Sequence, residues 1–260
     1  MGFISCPIAT LARWRPQAPA LLYLPDNQSI SYAELDQAIS DRVRRTIYTN
    51  SIVPLVPELN YDTIITLFAL FRQGKCVLLQ GPHGPSRTAP MPELPSDPMQ
   101  QPPVYTPVYA NAWSLHTPAT LMYTSGSSNT PKAVVHTLAQ HYWGALGGLS
   151  LPNSIHPDSR VFLGLPLYHV SGFSLLLRCF LRGATLVLAT EKRPLPTILR
   201  LGSITHTSIV LPQLVQLASD AGAYPALKQL LFGGSACPEA LYLKAQHLPV
   251  VYSYGLTELG

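Results

Sequence analysis

The spacing of apolar positions along the chain changes several times, and each change predicts an element. Ser31-Tyr32-Ala33-Glu34 is a capping-box pattern, and it opens an amphipathic helix to about Arg45. Just before it, Ala20 to Leu24 and Gln28 to Ile30 flank Pro25-Asp26-Asn27 and predict a short hairpin. Tyr61 to Gln73 predicts a helix, Gly74 its stop, and Cys76 to Leu79 a buried strand. The same order returns with Phe173 to Arg182, Gly183, and Thr185 to Ala189. Glycine ends helices because it enters the left-handed region without a Cβ penalty. An uninterrupted apolar run after such a stop favours a parallel strand covered on both faces.

The last third alternates again. Thr207 to Leu211, Gln229 to Phe232 and Val250 to Tyr252 predict strands, while Gln213 to Ser219 and the stretch from Pro238 predict helices. The fold class is therefore α/β, with two adjoining lobes whose mostly parallel sheets are sandwiched by helices. The expected lobes are residues 1–81 and 108–260, joined by a connector over 82–107. That connector holds nine prolines, which disfavour ladders and helix interiors, and it reads as a spacer rather than a ligand for a peptide-binding domain.

Composition narrows the function. Of 260 residues, 47% are hydrophobic and 12% charged, with a formal net charge of +4, which excludes charge-driven disorder and is a weak case for nucleic acid. Cys6, Cys76, Cys179 and Cys237 stand far apart, without zinc-ligand spacing, and read as structural thiols of a reducing cytoplasm. The N-terminus lacks signal-peptide character. The most apolar stretch, Val170 to Ala189, is broken by Arg178, Arg182 and Gly183, which argues against a membrane span.

Candidate chemistry gathers in loops after strands, where open α/β sheets bind ligands. Thr124-Ser125-Gly126-Ser127-Ser128-Asn129-Thr130-Pro131-Lys132 follows the apolar Thr120 to Tyr123. It offers hydroxyls, backbone N–H groups and one ammonium to phosphate oxygens. Pro131 and Ala133 flank the lysine, so the loop is not a Walker A sequence. Gly233-Gly234-Ser235 follows a strand and lets main chain approach a flat ring closely. Tyr254-Gly255-Leu256-Thr257-Glu258, followed by Leu259 and Gly260, carries a carboxylate suited to a hard cation beside phosphate. His169, within Leu165-Pro166-Leu167-Tyr168-His169-Val170-Ser171-Gly172, is placed to donate to developing charge. His136, His141 and His206 have no comparable context and read as core residues.

These segments, in this order, resemble the adenylate-forming acyl-CoA synthetase superfamily, whose phosphate loop reads T-S-G-S/T-T-G-x-P-K and whose later signature reads Y-G-x-T-E. Ser128 and Asn129 depart from the first pattern, and asparagine tolerates the positive φ of the missing glycine. The resemblance implies ATP, Mg²⁺ and coenzyme A. It implies that Thr124, Ser125, Gly126, Ser127, Ser128 and Lys132 hold phosphates and that Gly233, Gly234 and Ser235 line adenine. It likewise implies that Tyr254 stacks on adenine beside Gly255, that Thr257 bonds the α-phosphate, that Glu258 holds Mg²⁺, and that His169, by the reacting carboxylate, and Lys132 are the catalytic residues. Leu165 to Leu188, Ile209 to Leu214 and Leu227 to Pro238 are most similar to the branch that acts on o-succinylbenzoate in menaquinone synthesis.

In that superfamily a carboxylate attacks the α-phosphate of ATP to give an acyl-adenylate, and coenzyme A then displaces AMP. A C-terminal lid domain carries the adenylation lysine and completes the thiol site. The sequence stops at Gly260, so the expectation is an incomplete coenzyme A site, inactivity in the whole reaction, and self-association through apolar surface near Val250 to Gly260. The resemblance leaves open another aryl or fatty acid as substrate, and a non-catalytic nucleotide-binding module.

Overall fold

The first long helix starts where its capping chemistry predicts. Ser31 Oγ accepts from the Glu34 amide at 3.2 Å, and the Glu34 carboxylate accepts from the Ser31 N–H at 2.8 Å. A computed structural model describes residues 3–82, 112–124 and 132–259. Most of the proline-rich connector, and residues 125–131 of the candidate phosphate loop, lie outside the described residues.

Chain order begins with β1 (Phe3–Ser5), α1 (Pro7–Trp14), the hairpin β2 (Pro19–Leu24) and β3 (Gln28–Ser31), and α2 (Tyr32–Arg45). Then come β4 (Ile52–Leu55), α3 (Tyr61–Arg72) and β5 (Cys76–Leu79). After the undescribed connector follow β6 (Ala112–Ser114), β7 (Pro118–Thr124), β8 (Lys132–Thr137) and α4 (Leu138–Leu149). The remainder alternates: β9 (Arg160–Phe162), α5 (Val170–Arg182), β10 (Thr185–Ala189), α6 (Leu195–Leu201) and β11 (His206–Ile209). It continues through α7 (Leu211–Ser219), β12 (Gln229–Phe232), α8 (Glu239–Lys244) and β13 (Val250–Tyr252) to a 3₁₀ turn at Thr257–Leu259. Both predicted helix stops hold, with Gly74 at φ 66° and Gly183 at φ 70°.

Two sheets dominate. A seven-stranded sheet runs β13-β12-β11-β9-β10-β2-β3, parallel except for the β2–β3 hairpin. A four-stranded sheet runs β4-β5-β7-β8, with β7–β8 antiparallel. The larger sheet is apolar on both faces, as parallel strands require. Leu21, Val161, Leu186 and Leu188 face the core shared with α2, α3 and α5, whereas Leu22, Phe162 and Val187 face the core under α6 and α7. The smaller sheet alternates likewise: Val77 and Leu79 join the large core, while Cys76, Leu78 and Leu121 form a small separate cluster.

The lobes are not consecutive stretches of chain, and the expected split into 1–81 and 108–260 does not describe the sheets. β2 and β3 complete the larger sheet beside β10, and β7 and β8 complete the smaller one beside β5. Hydrogen-bonding edges pair by register, not by nearness in sequence, so a strand joins whichever edge its apolar faces match.

The order of strands in the larger sheet positions the site. From β9 the chain crosses over α5 to β10 on one side, then returns over α6 to β11 on the other. Right-handed crossovers in opposite directions place α5 and α6 on opposite faces. The carboxyl ends of β9 and β11 therefore border the crevice where strand order reverses, the usual ligand position in such sheets.

Candidate active site at the carboxyl ends of the sheet

His169 comes from the loop after β9. It is the N-terminal cap residue of α5 but makes no side-chain capping bond, so its ring is left for other partners. Partial burial lowers its proton affinity below that of an ordinary imidazole. The ring packs beside Tyr168, with centroids 4.7 Å apart. Gly172 makes this turn: a Cβ there would stand 2.2 Å from the Pro166 carbonyl oxygen, so only glycine lets α5 start so close to the loop. Tyr168 in turn packs on Gly81, just beyond β5, where a Cβ would lie 3.1 Å from the ring.

The two glycine-bearing loops after β12 and β13 lie side by side. Phe232 pairs with Tyr252 in the parallel ladder, and the Ser253 N–H donates to the Phe232 carbonyl at 2.9 Å. A Cβ on Gly233 would stand 2.8 Å from Ser253 Oγ, and Gly234 has φ 87°. Gly234 is exposed and neither glycine carries a side chain, so main chain here is accessible to a flat ring. Ser235 and Gly255 are exposed, and Tyr254 is 88% exposed.

Thr124 and Lys132, the two described ends of the phosphate-loop sequence, are paired residues of the β7–β8 ladder. Ser125, Gly126, Ser127 and Ser128 lie outside the described residues. Along β8, Val135 packs toward Cys76, Leu78 and Leu121, so His136, Val134 and Lys132 share the opposite face. On that face His136 Nε2 meets the Thr257 carbonyl oxygen at 2.5 Å. This bond brings the last segment of the chain onto the strand that begins with Lys132. Glu258 is exposed beside it, and its charge favours protonation of His136, against the stronger effect of burial.

Sequence reasoning passed over two residues here. His136 was assigned to the core, and it is fully buried, yet it bonds the segment that carries Thr257 and Glu258. Arg178, 3% exposed on α5, donates to Ser208 Oγ at 3.1 Å and to the Ser174 carbonyl at 3.3 Å. Among the described residues no carboxylate neutralises it, and burial lowers its pKa to about 10. A charge inside an otherwise apolar helix was the available signal. His206 fits its core assignment, with Nδ1 on Thr205 Oγ1 and Nε2 on the Asn153 carbonyl, both at 2.8 Å.

Among the described residues no three His, Cys, Asp or Glu side chains form a metal cluster. The donor set at the end of the chain, one exposed carboxylate, fits a magnesium ion held chiefly by phosphate and water, not a protein cage.

A mostly parallel α/β sheet with a crevice at a strand-order reversal, beside two glycine-bearing loops, is the architecture of α/β proteins that bind ligands at the carboxyl ends of their strands. The chain belongs to the AMP-binding enzyme family, whose model matches residues 69–260. It is 38% identical over 146 residues to a 2-succinylbenzoate–CoA ligase of Bacillus licheniformis, covering 54% of this chain and 30% of that protein. It is also 38% identical over 157 residues to the corresponding ligase of Salmonella typhimurium, covering 60% of this chain and 33% of the relative. The chain thus spans about a third of the length of these curated relatives. Among solved structures, O-succinylbenzoate coenzyme A synthetase from Bacillus subtilis in complex with AMP superposes with a TM-score of 0.79 at 21% identity, covering 99% of this chain and 75% of that one. A variant of the Escherichia coli enzyme with bound OSB-AMS gives 0.77 at 25% identity, covering all of this chain and 62% of that one.

Proposed function

We propose that the chain is the N-terminal portion of an ATP-dependent, AMP-forming carboxylate–CoA ligase, with o-succinylbenzoate as its acid. The observation that carries this reading is the His136–Thr257 bond, which puts the Lys132 end of the hairpin and the Thr257-Glu258 turn on one face of β8. Lys132, with Thr124 and Ser125 to Ser128, would hold the triphosphate. Gly233, Gly234 and Ser235 would underlie adenine and Tyr254 would cover it. Thr257, beside Gly255, would meet the α-phosphate. Glu258 would hold a magnesium ion that neutralises phosphate charge.

The acid's carboxylate is already a nucleophile, so the chain's work in the first step is orientation and charge neutralisation. A carboxylate oxygen forms a bond to the α-phosphorus, the bridge to the β-phosphate breaks, and pyrophosphate leaves. His169 would donate to the charge that gathers on the reacting oxygens. Arg178 supports a diacid: o-succinylbenzoate has a second carboxylate, and a buried guanidinium with no carboxylate partner among the described residues suits one. The thioester step with coenzyme A is proposed for the whole protein. The free thiols of Cys6, Cys76, Cys179 and Cys237 support a cytoplasmic setting. No described helix is long and apolar enough to cross a membrane.

Calorimetric titration with the sulfamoyl-adenosine analogue of o-succinylbenzoate tests the proposal, with a fatty-acyl analogue in parallel. The expected result is binding that favours the former. Preference for the fatty-acyl compound removes the substrate, and failure of both removes the ligase reading. Acid-dependent ATP–pyrophosphate exchange then separates adenylation from nucleotide binding alone.

A further inference from the structure

We infer that His136 is a positioning residue, which fixes the Thr257-Glu258 backbone against the phosphate-loop hairpin. A carbonyl oxygen only accepts, so the 2.5 Å contact with Thr257 requires the proton on Nε2 of His136. Burial disfavours the charged ring, so Nδ1 keeps a bare lone pair, and it is buried with no partner among the described residues. Among the described residues, the ring's hydrogen bond is thus the one to the final segment.

The ring is held from behind. Its centroid lies 4.9 Å from that of His141, which bonds Thr120 Oγ1 through Nε2 at 2.7 Å and packs on Phe173 at 4.4 Å. Thr120 is the ladder partner of His136 in β7. The base of the hairpin, α4 and α5 therefore lock the ring that holds Thr257, although the two residues are 121 positions apart. Lys132 and His136 share one face of β8 and stand roughly 13 Å apart along it. The four-carbon stem of Lys132 brings its ammonium part of the way toward the other end, so the bond sets the distance between the lysine end and the acidic end of one ligand.

This inference rests on the nucleotide site proposed above, and its test has an arm that needs no nucleotide. In the ligand-free 260-residue chain, His136→Leu should speed amide hydrogen exchange in 254–259 by about fivefold or more. His136→Gln, which keeps an N–H at similar reach, should stay near the parent. By calorimetry, His136→Leu should weaken ATP·Mg²⁺ and AMP by about five- to tenfold, as expected for one lost hydrogen bond, and adenosine, which meets only the Tyr254 part of the segment, by less. Should the leucine variant not fold, His136→Asn, with its amide too short to reach Thr257, should show the same losses.

Unchanged exchange in 254–259 overturns the tether. Equal loss for adenosine, AMP and ATP overturns positioning in favour of a general packing role. If the parent binds no nucleotide, the proposed function falls, and the exchange experiment still decides whether His136 holds the segment.

Discussion

The two ends of the seven-stranded sheet carry similar polar residues and use them differently. At the amino ends they satisfy one another. The Arg160 N–H donates to Thr205 Oγ1 at 2.9 Å, and the Arg160 guanidinium to the Gly202 carbonyl at 3.0 Å. Gln229 donates to the Pro152 carbonyl at 3.0 Å, and both His206 nitrogens have partners. At the carboxyl ends, His169 makes no capping bond, Tyr254 stands in solvent, and Ser235 and Glu258 are exposed. Polar groups that close on each other lower the cost of burial, and those left open have their bonding capacity free for a ligand. Residue type does not separate His169 from His206; the end of the strand on which each stands does.

Substitutions at the two ends should therefore separate stability from binding. The largest effect is expected at the loop that presents His169. Gly172→Ala places a Cβ against the Pro166 carbonyl and should cost about 3 kcal/mol in denaturant unfolding, because backbone cannot yield as a side chain can. Arg178→Met comes next. It should leave unfolding free energy level or raised, since methionine has a similar volume and removes a buried charge that no carboxylate among the described residues pairs. It should weaken the o-succinylbenzoyl-adenylate analogue by roughly 10- to 100-fold. A matched loss of stability and affinity would mean that Arg178 serves packing alone.

The comparison sharpens with the paired histidines. His206→Leu should cost about 1–2 kcal/mol of stability, through the Asn153 carbonyl it orphans, and leave nucleotide affinity unchanged. His169→Ala should do the reverse, with thermal unfolding near the parent and a weaker adenylate analogue. The smallest effect at neutral pH comes from His141. Burial first, then neighbouring His136, holds its pKa at about 3 against the ordinary 6.5. Only the unfolded chain takes up this proton near neutrality, so the contribution is complete above about pH 6.5 and is lost as pH falls toward 3. Between about pH 7 and pH 6 the loss is on the order of 1 kcal/mol. The pH slope of the melting temperature should shrink in His141→Gln.

Much of the fold was legible because local chemistry dictates it. The capping box at Ser31, the stops at Gly74 and Gly183 and the apolar runs at 76–79 and 185–189 all act within a few residues. α5 begins at Val170, three residues before its predicted start at Phe173, because the turn that lets it begin there depends on contact between Gly172 and Pro166. Neither β8 nor α4 was anticipated. β8 opens on Lys132 and Ala133, both exposed, and finds its place only by pairing with β7. The apolar surface expected near the last residues is present, with Leu256 50% and Leu259 65% exposed, and analytical ultracentrifugation of the chain would read any self-association through it.

From sequence alone came the kind of loop after each strand, the order of the chemical segments and the double burial of the central strands, since all three are encoded in neighbouring residues. Tertiary structure decided which strands share a sheet, which histidine meets Thr257, and that Arg178 is buried with no carboxylate among the described residues. These depend on edges and faces brought together from distant parts of the chain, and no local spacing carries that information.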